Sequence, residues 1–196
     1  MRVVLVVDSI RDEDGFVRRI AGAAVAGLES VAHHVDVVDL AALRFSPVMT
    51  GADRRAYFSP EPLVCPQVAA SADLVRQADA LVFVYPTVLS TVTPGIKGWI
   101  ERTFVPGVAF TLGDPVAARR GLSAVRRLVG ISVYDESRRE VRRVGDNGRR
   151  IIQRNVRLCG GLRTRASWIA FHGNATADDV ERARFLHSVE ERMASL

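Results

Sequence analysis

At 196 residues and 48% hydrophobic content, the chain can bury one sizeable core, and neither a Pro/Gly/Ser-rich linker nor an internal repeat divides it, so a single domain over residues 1–196 is expected. Its net charge of +5 rests on arginine, with Lys97 the only lysine among 27 basic residues. No apolar run approaches the ~18 residues of a membrane span and no basic-apolar-small leader opens the chain, so a cytoplasmic protein is expected, and Cys65 and Cys159 stand apart, without metal-site spacing, as reduced thiols.

Val3 to Val7 is a continuous apolar run that suits a central strand covered on both faces, ending at Asp8-Ser9. After a loop from Ile10 to Asp14, the repeat of Phe16, Ile20, Ala24 and Leu28 predicts a helix from about Gly15 to Val31. His34 to Leu40 reads as a second strand. The long connection Ala41 to Pro66, with prolines at 47, 60 and 62, has the length of a lid or binding segment. A short helix near Ala69 to Gln77 leads into a third strand, Ala80 to Tyr85, which Pro86 ends because it lacks an N–H and fixes φ.

Residues Thr87 to Thr93 then leave backbone groups free to hydrogen-bond a flat heterocycle at the strand's carboxyl end, where open α/β sheets bind ligands. Pro94 opens a helix that Ile96, Trp99, Ile100 and Phe104 pack back on the sheet. Ser123 to Val133 gives a fourth strand with Leu128 to Ile131 as its buried part, and Asn147 to Cys159 a helix with exposed arginines. The arginines between Arg119 and Arg165 lack interleaved aromatics or a helix-turn-helix pattern. That argues against nucleic acid and leaves a solvated face or an attraction for an anionic partner. Ser167 to Phe171 is the fifth strand, and Thr176 with Asp179 reads as a capping box for the last helix. Strands alternating with helices define a doubly wound α/β sheet.

One block carries a family resemblance. Tyr85-Pro86, then Pro94-Gly95-Ile96-Lys97-Gly98-Trp99-Ile100-Glu101-Arg102-Thr103-Phe104, then Pro106-Gly107-Val108-Ala109-Phe110 resembles the flavodoxin-like NAD(P)H:quinone oxidoreductases. There an aromatic-Pro strand end is followed by a loop under the flavin ring and a helix reading roughly P-A-x-L-K-G-W-x-[DE]-R-x-F, then P-G-x-A-F. The resemblance implies a flavodoxin-like doubly wound sandwich, its five-stranded parallel sheet in the order 2-1-3-4-5, with the loops after strands one, three and four converging at the switch point. It also implies FMN or FAD as cofactor, NAD(P)H as reductant and a quinone or similar flat acceptor, in ping-pong order, with the chemistry belonging to the cofactor.

Each loop then has an expected role. Ser9, Gly15 and Phe16 would hold the flavin phosphate at a helix N-terminus. The family usually carries a His near the end of strand one and Ser/Thr-Phe-Asn at the helix start; this chain has Asp8 and Gly15-Phe16-Val17, where Phe16 matches. Asp12, Glu13 and Asp14 beside the phosphate position predict modest flavin affinity, micromolar or about 8 kcal/mol, unless Arg11, Arg18 and Arg19 offset them; an acidic first turn also complements the helix dipole. Pro86, Thr87, Val88 and Leu89 would run under the ring through their main chain, Val88 and Leu89 replacing the aromatics common in the family.

The third loop reads Ser132-Val133-Tyr134-Asp135 where the family has Thr-Thr-Gly-Gly. Tyr134 is expected in the substrate cleft with its hydroxyl exposed, as a catalytic donor to developing negative charge. The Tyr and His relay of some quinone reductases falls on Glu140 and Asp146 and is not carried over. His172 is either a general acid or a solvated turn residue. A homodimer is expected from the resemblance and from the apolar stretch Val105 to Phe110. Two other readings stand beside the enzyme: a flavodoxin-like binding or regulatory subunit with little turnover, and a member turned to another small-molecule reduction in which Asp8 and Tyr134 meet a different substrate.

Overall fold

The computed structural model describes residues 1–10, 15–110 and 121–196. Five parallel strands, β1 (Arg2–Val7), β2 (His34–Asp39), β3 (Ala80–Pro86), β4 (Arg127–Tyr134) and β5 (Arg165–His172), form one sheet in the order β2-β1-β3-β4-β5. Every neighbouring pair is parallel; Val4 lies opposite Leu81, and Leu81 opposite Leu128. Strand alternation feeds two cores. Val3, Leu5, Val7, Val82 and Val84 face α1 (Phe16–Ser30) and α8 (Asp179–Ala194), whereas Val4, Val6, Leu81, Phe83 and Tyr85 face α3 (Pro66–Arg76) and α4 (Pro94–Thr103). The runs Val3–Val7 of β1 and Ala80–Tyr85 of β3 are apolar throughout because both of their faces are covered. Among the described residues no helix is long and apolar enough to cross a membrane.

Several boundaries differ from those expected, each for a local reason. The long connection carries a helix of its own, α2 (Gly51–Ala56), started by a reciprocal Thr50–Asp53 capping box. It is pinned to α4 by an ion pair of 3.1 Å between Arg102 and Asp53, whose side chains are only 5% and 11% exposed. Arg102 also donates to the Ser46 carbonyl at 2.6 Å and lies over the Phe45 ring. α3 starts at Pro66 rather than near Ala69, since proline suits the first helical turn. β4 starts at Arg127 rather than Ser123, because a turn closed by Val125 N–H on the Leu122 carbonyl occupies the intervening residues.

The helix expected over Asn147 to Cys159 is broken into α6 (Asn147–Arg150), a π-helical turn (Ile151–Val156) and α7 (Arg157–Cys159). Ahead of it α5 (Arg138–Val144) has no buried residue, so no apolar stripe announces it. The last capping box belongs to Asp178 and Glu181, two residues beyond Thr176 and Asp179. The stretch Val105 to Phe110 packs inward, with Val105 and Val108 2% exposed and Ala109 fully buried, so its composition serves the chain's own core. Arg11, Asp12, Glu13, Asp14 and Arg119 lie outside the described residues.

Candidate functional site

The carboxyl ends of β1, β3 and β4 bring three loops together, and Asp8 ties the first to the second. Its N–H donates to the Val84 carbonyl at 3.0 Å, continuing the β1–β3 ladder. Its Oδ1 accepts from Ile10 N–H at 3.1 Å, and its Oδ2 accepts the Thr93 hydroxyl at 2.5 Å. Thr93 is also the N-cap of α4, its oxygen accepting from Ile96 N–H at 3.3 Å. Asp8 thus sits, 8% exposed, at the positive end of a helix, a favourable place for a carboxylate. Gly95 makes room for it, because a Cβ there would overlap Oδ2 of Asp8. The residue standing where the resembling family has His is therefore turned onto α4 and held there.

Ser9, next in the chain, is 5% exposed, and among the described residues its hydroxyl has no hydrogen-bond partner. A buried hydroxyl without a partner costs free energy, and a bound group would relieve it. Gly15 is the N-cap of α1 and supplies no side-chain cap, so no side chain of its own satisfies the first N–H groups of that helix. The Phe16 side chain sits in an aromatic cluster with Phe171 at 5.0 Å and Phe185 at 6.2 Å, the Arg182 guanidinium 5.7 Å from its ring. Any contact of Phe16 with a phosphate would come from its backbone.

In the second loop, Pro86 pairs with Val133, and Thr87 N–H donates to the Val133 carbonyl at 2.7 Å. Ser132 donates to the Tyr85 carbonyl at 3.0 Å, which leaves its oxygen to accept the Thr87 hydroxyl at 2.8 Å. Val88 and Thr91 exchange two hydrogen bonds of 3.1 and 2.9 Å around Leu89 and Ser90, both left-handed with φ of 46° and 60°. That is the backbone of a primed two-residue turn, which favours Asn and Gly. Leu89 stands at its tip, 92% exposed. The turn is held from outside: the Ser90 carbonyl accepts from Asn147 N–H at 2.8 Å and Gly148 N–H at 3.1 Å. An apolar side chain in strained backbone at a rigid loop tip is a feature associated with ligand contact.

The third loop corrects one expectation. Tyr134 is 1% exposed and its hydroxyl is buried, donating to Oδ2 of Asp146 at 2.7 Å and accepting from the Trp168 indole N–H at 3.2 Å. Burial, reinforced by Asp146, pushes its phenol above the usual tyrosine range. Its ring stacks on His172 with centroids 4.6 Å apart, and burial followed by the nearby Arg138 holds that imidazole below the usual histidine range. Ser132 and Val133 are buried, and Asp135 is exposed, accepting from the Asn174 amide at 3.0 Å. Glu140, a capping residue of α5, and Asp146, the N-cap of α6, are structural in this arrangement.

The structure therefore gathers Ser9, Gly15, Pro86, Thr87, Val88, Leu89, Ser132 and Val133 at one end of the sheet. The roles of Thr93 and Trp168 escaped the sequence reading, and Asp146 entered it only as a relay position that was not carried over. Thr93 before Pro94 and Asp146 before Asn147-Gly148 are visible in sequence as helix caps, but their partners come from other strands.

Comparison with known proteins assigns the fold to a family. A family model described as flavodoxin-like fold matches residues 1–186, and the chain belongs to that family. It is 27% identical over 126 residues to NAD(P)H dehydrogenase [quinone] 1 of Cavia porcellus, a match covering 57% of this chain and 46% of that protein. The chain thus spans about half the length of this curated relative. Among solved structures it is similar to the NAD(P)H:quinone oxidoreductase from Methanothermobacter marburgensis, with TM-score 0.79, 19% identity, and 100% and 96% of the two chains covered. It is also similar to an FMN-dependent NADH-azoreductase from Bacillus anthracis str. Ames Ancestor solved in complex with FMN, with TM-score 0.76, 13% identity, and 100% and 98% covered.

Proposed function

We propose that the chain is a flavin-dependent NAD(P)H oxidoreductase that passes reducing equivalents to a quinone or a similar flat acceptor. The observation that carries this reading is the β3–turn–α4 unit, where a rigid left-handed turn presents Leu89 at the carboxyl end of the sheet. A relative named as a quinone dehydrogenase and a neighbour solved with FMN support it.

The residues fit a flavin. The partnerless Ser9 hydroxyl and the uncapped N-terminus of α1 at Gly15 and Phe16 suit a phosphate. Pro86 to Leu89 and Ser132 to Asp135 would frame the ring between them. When bound, flavin supplies reversible hydride acceptance. The chain's own residues hold and orient: Thr87 and Ser132 lock the two ring-facing loops together, Asp8 and Thr93 fix the first loop against the second, and Leu89, exposed at the turn tip, would offer an apolar contact to the ring. Either FMN or FAD would present the phosphate and the ring that these groups suit. Homodimer assembly belongs to the reading through the family resemblance, and a cytoplasmic location remains part of it as an expectation; the Val105–Phe110 stretch contributes little free surface to an interface.

The test is reconstitution. Purified chain mixed with FMN or FAD should retain flavin with micromolar affinity, and Ser9→Ala should weaken retention of the phosphorylated flavin while leaving riboflavin binding unchanged. Equal retention of all three flavins by both proteins would remove the phosphate assignment. A second reading, a flavodoxin-like subunit with little turnover, is favoured by one observation: the Tyr134 hydroxyl is committed to Asp146. Flavin retention without NAD(P)H oxidation would select it.

A further inference from the structure

Between the helices that follow β4 and the edge strand β5 lies a cleft of about 770 Å³, within the range of small-molecule sites. It lies over β5 on the sheet face that α3 and α4 cover, since Trp168 in its wall packs against that core. Six guanidinium groups line it: Arg138 and Arg142 from α5, Arg149 and Arg150 from α6, Arg154 from the π-helical turn and Arg157 from α7. Among the described residues none of the six is in an ion pair. Arg149 reaches Gln153 at 2.8 Å and Arg157 the Thr164 carbonyl at 3.0 Å; the other four make no side-chain hydrogen bond among the described residues.

Asp146 is the one carboxylate in the lining. Both its oxygens are engaged, one by Arg149 N–H at 2.9 Å and the other by the Tyr134 hydroxyl. Solvated surface arginines are commonly interspersed with acids. Six facing one concavity, with a single committed carboxylate, focus a positive potential into it. The guanidinium is also the side chain whose planar fork matches phosphate oxygens two at a time. Trp168 and His172 complete the wall with flat rings, and the Nδ1 of His172 is buried with no partner among the described residues.

We propose that this cleft binds a small molecule carrying clustered phosphate groups, held by the arginines of α5, α6 and the turn that follows. The proposal stands apart from the flavin reading, because its residues are not those that frame the ring. The shared chemistry has two sources: the phosphates of a dinucleotide such as NADPH, or a separate phosphate ester.

Tripolyphosphate is the probe, titrated into the purified full chain with and without flavin, by calorimetry and by tryptophan fluorescence. Trp168 is the reporter, since Trp99 is fully buried. Saturable binding is expected, weakening as salt rises, and weakening about tenfold or more in the double variant Arg142→Glu, Arg154→Glu. The double variant Arg142→Lys, Arg154→Lys keeps the charge and should lose less, with circular dichroism confirming that both variants fold. Displacement of the probe by NADPH but not by NADH assigns the cleft to the 2′-phosphate of the dinucleotide; displacement by neither supports a separate phosphate ester. Absence of saturable binding up to about millimolar probe, or equal affinity in the charge-reversed variant, overturns the proposal. So does single-stranded RNA that binds the same arginines more tightly than the probe. Flavin loading, read in the same samples, is independent of every one of these outcomes.

Discussion

Thr93 donates its hydroxyl to Asp8 at 2.5 Å while accepting from Ile96 N–H, so one side chain both caps α4 and holds the end of β1. This joins the loop after β1 to the loop after β3 through buried groups: Thr93 is fully buried and Asp8 nearly so. Thr93→Val keeps the shape but removes both bonds. It should cost about 1.5–5 kcal/mol, the sum of a lost cap and a stranded carboxylate oxygen. Urea denaturation measures the loss, and a change under about 0.5 kcal/mol, the ordinary surface range, would mean that water replaces the threonine.

Tyr134→Phe carries a different expectation from an exposed tyrosine. The hydroxyl satisfies both Asp146 and the Trp168 indole, so its removal should destabilise by about 1–3 kcal/mol. A silent substitution would show that solvent reaches Asp146. Tyr85 and Tyr134 are both pushed above the usual tyrosine range, each chiefly by burial. A raised phenol stabilises the fold below its unfolded value of about 10 and ceases to do so as pH rises beyond it. Alkaline unfolding should therefore begin above about pH 10, less steeply in Tyr134→Phe.

Much of the fold was legible because its signals are local. The runs Val3–Val7 and Ala80–Tyr85, the spacing of Phe16, Ile20, Ala24 and Leu28, and the block from Pro94 to Phe110 each report burial directly. The site was legible only as a set of loops. Nothing near Asp8 in sequence points to Thr93, 85 positions away, and the alternation that placed Tyr134 at a strand end cannot say that Asp146 returns to meet it. α5 escaped because a helix without buried residues has no apolar period to read.

The Arg102–Asp53 pair anchors α2, in the long connection, to α4. Arg102→Met leaves Asp53 unpaired and should cost about 3–5 kcal/mol, as broken buried pairs do. Burial opposes ionisation of Asp53, yet the bonds from Thr50 and the Arg102 charge prevail and hold its carboxyl below the usual range. Its contribution is therefore present above the unfolded value of about 3.9 and is lost as pH falls through the lower folded value. Proteolysis within the connection should accelerate below about pH 4 in the wild type, and at neutral pH in Arg102→Met. Equal protection in both proteins would count against the anchor.

Leu89 holds a left-handed backbone that costs roughly 1 kcal/mol for a side chain with a Cβ. Leu89→Gly should relieve that strain, leaving stability unchanged or higher by up to about 1 kcal/mol. It should also weaken binding of a flat apolar ligand, because the exposed tip is lost. Thermal unfolding and the KM for a soluble quinone separate the two effects. Unchanged KM would remove Leu89 from the site.

The most direct test of the account is an anaerobic titration of flavin-loaded chain with NADPH, followed by addition of a quinone. Loss of the flavin's visible absorbance on adding NADPH, and its full return on adding quinone as a separate step, is the predicted result. A chain that retains flavin whose absorbance NADPH and NADH leave unaltered, or that retains no flavin at all, would contradict it.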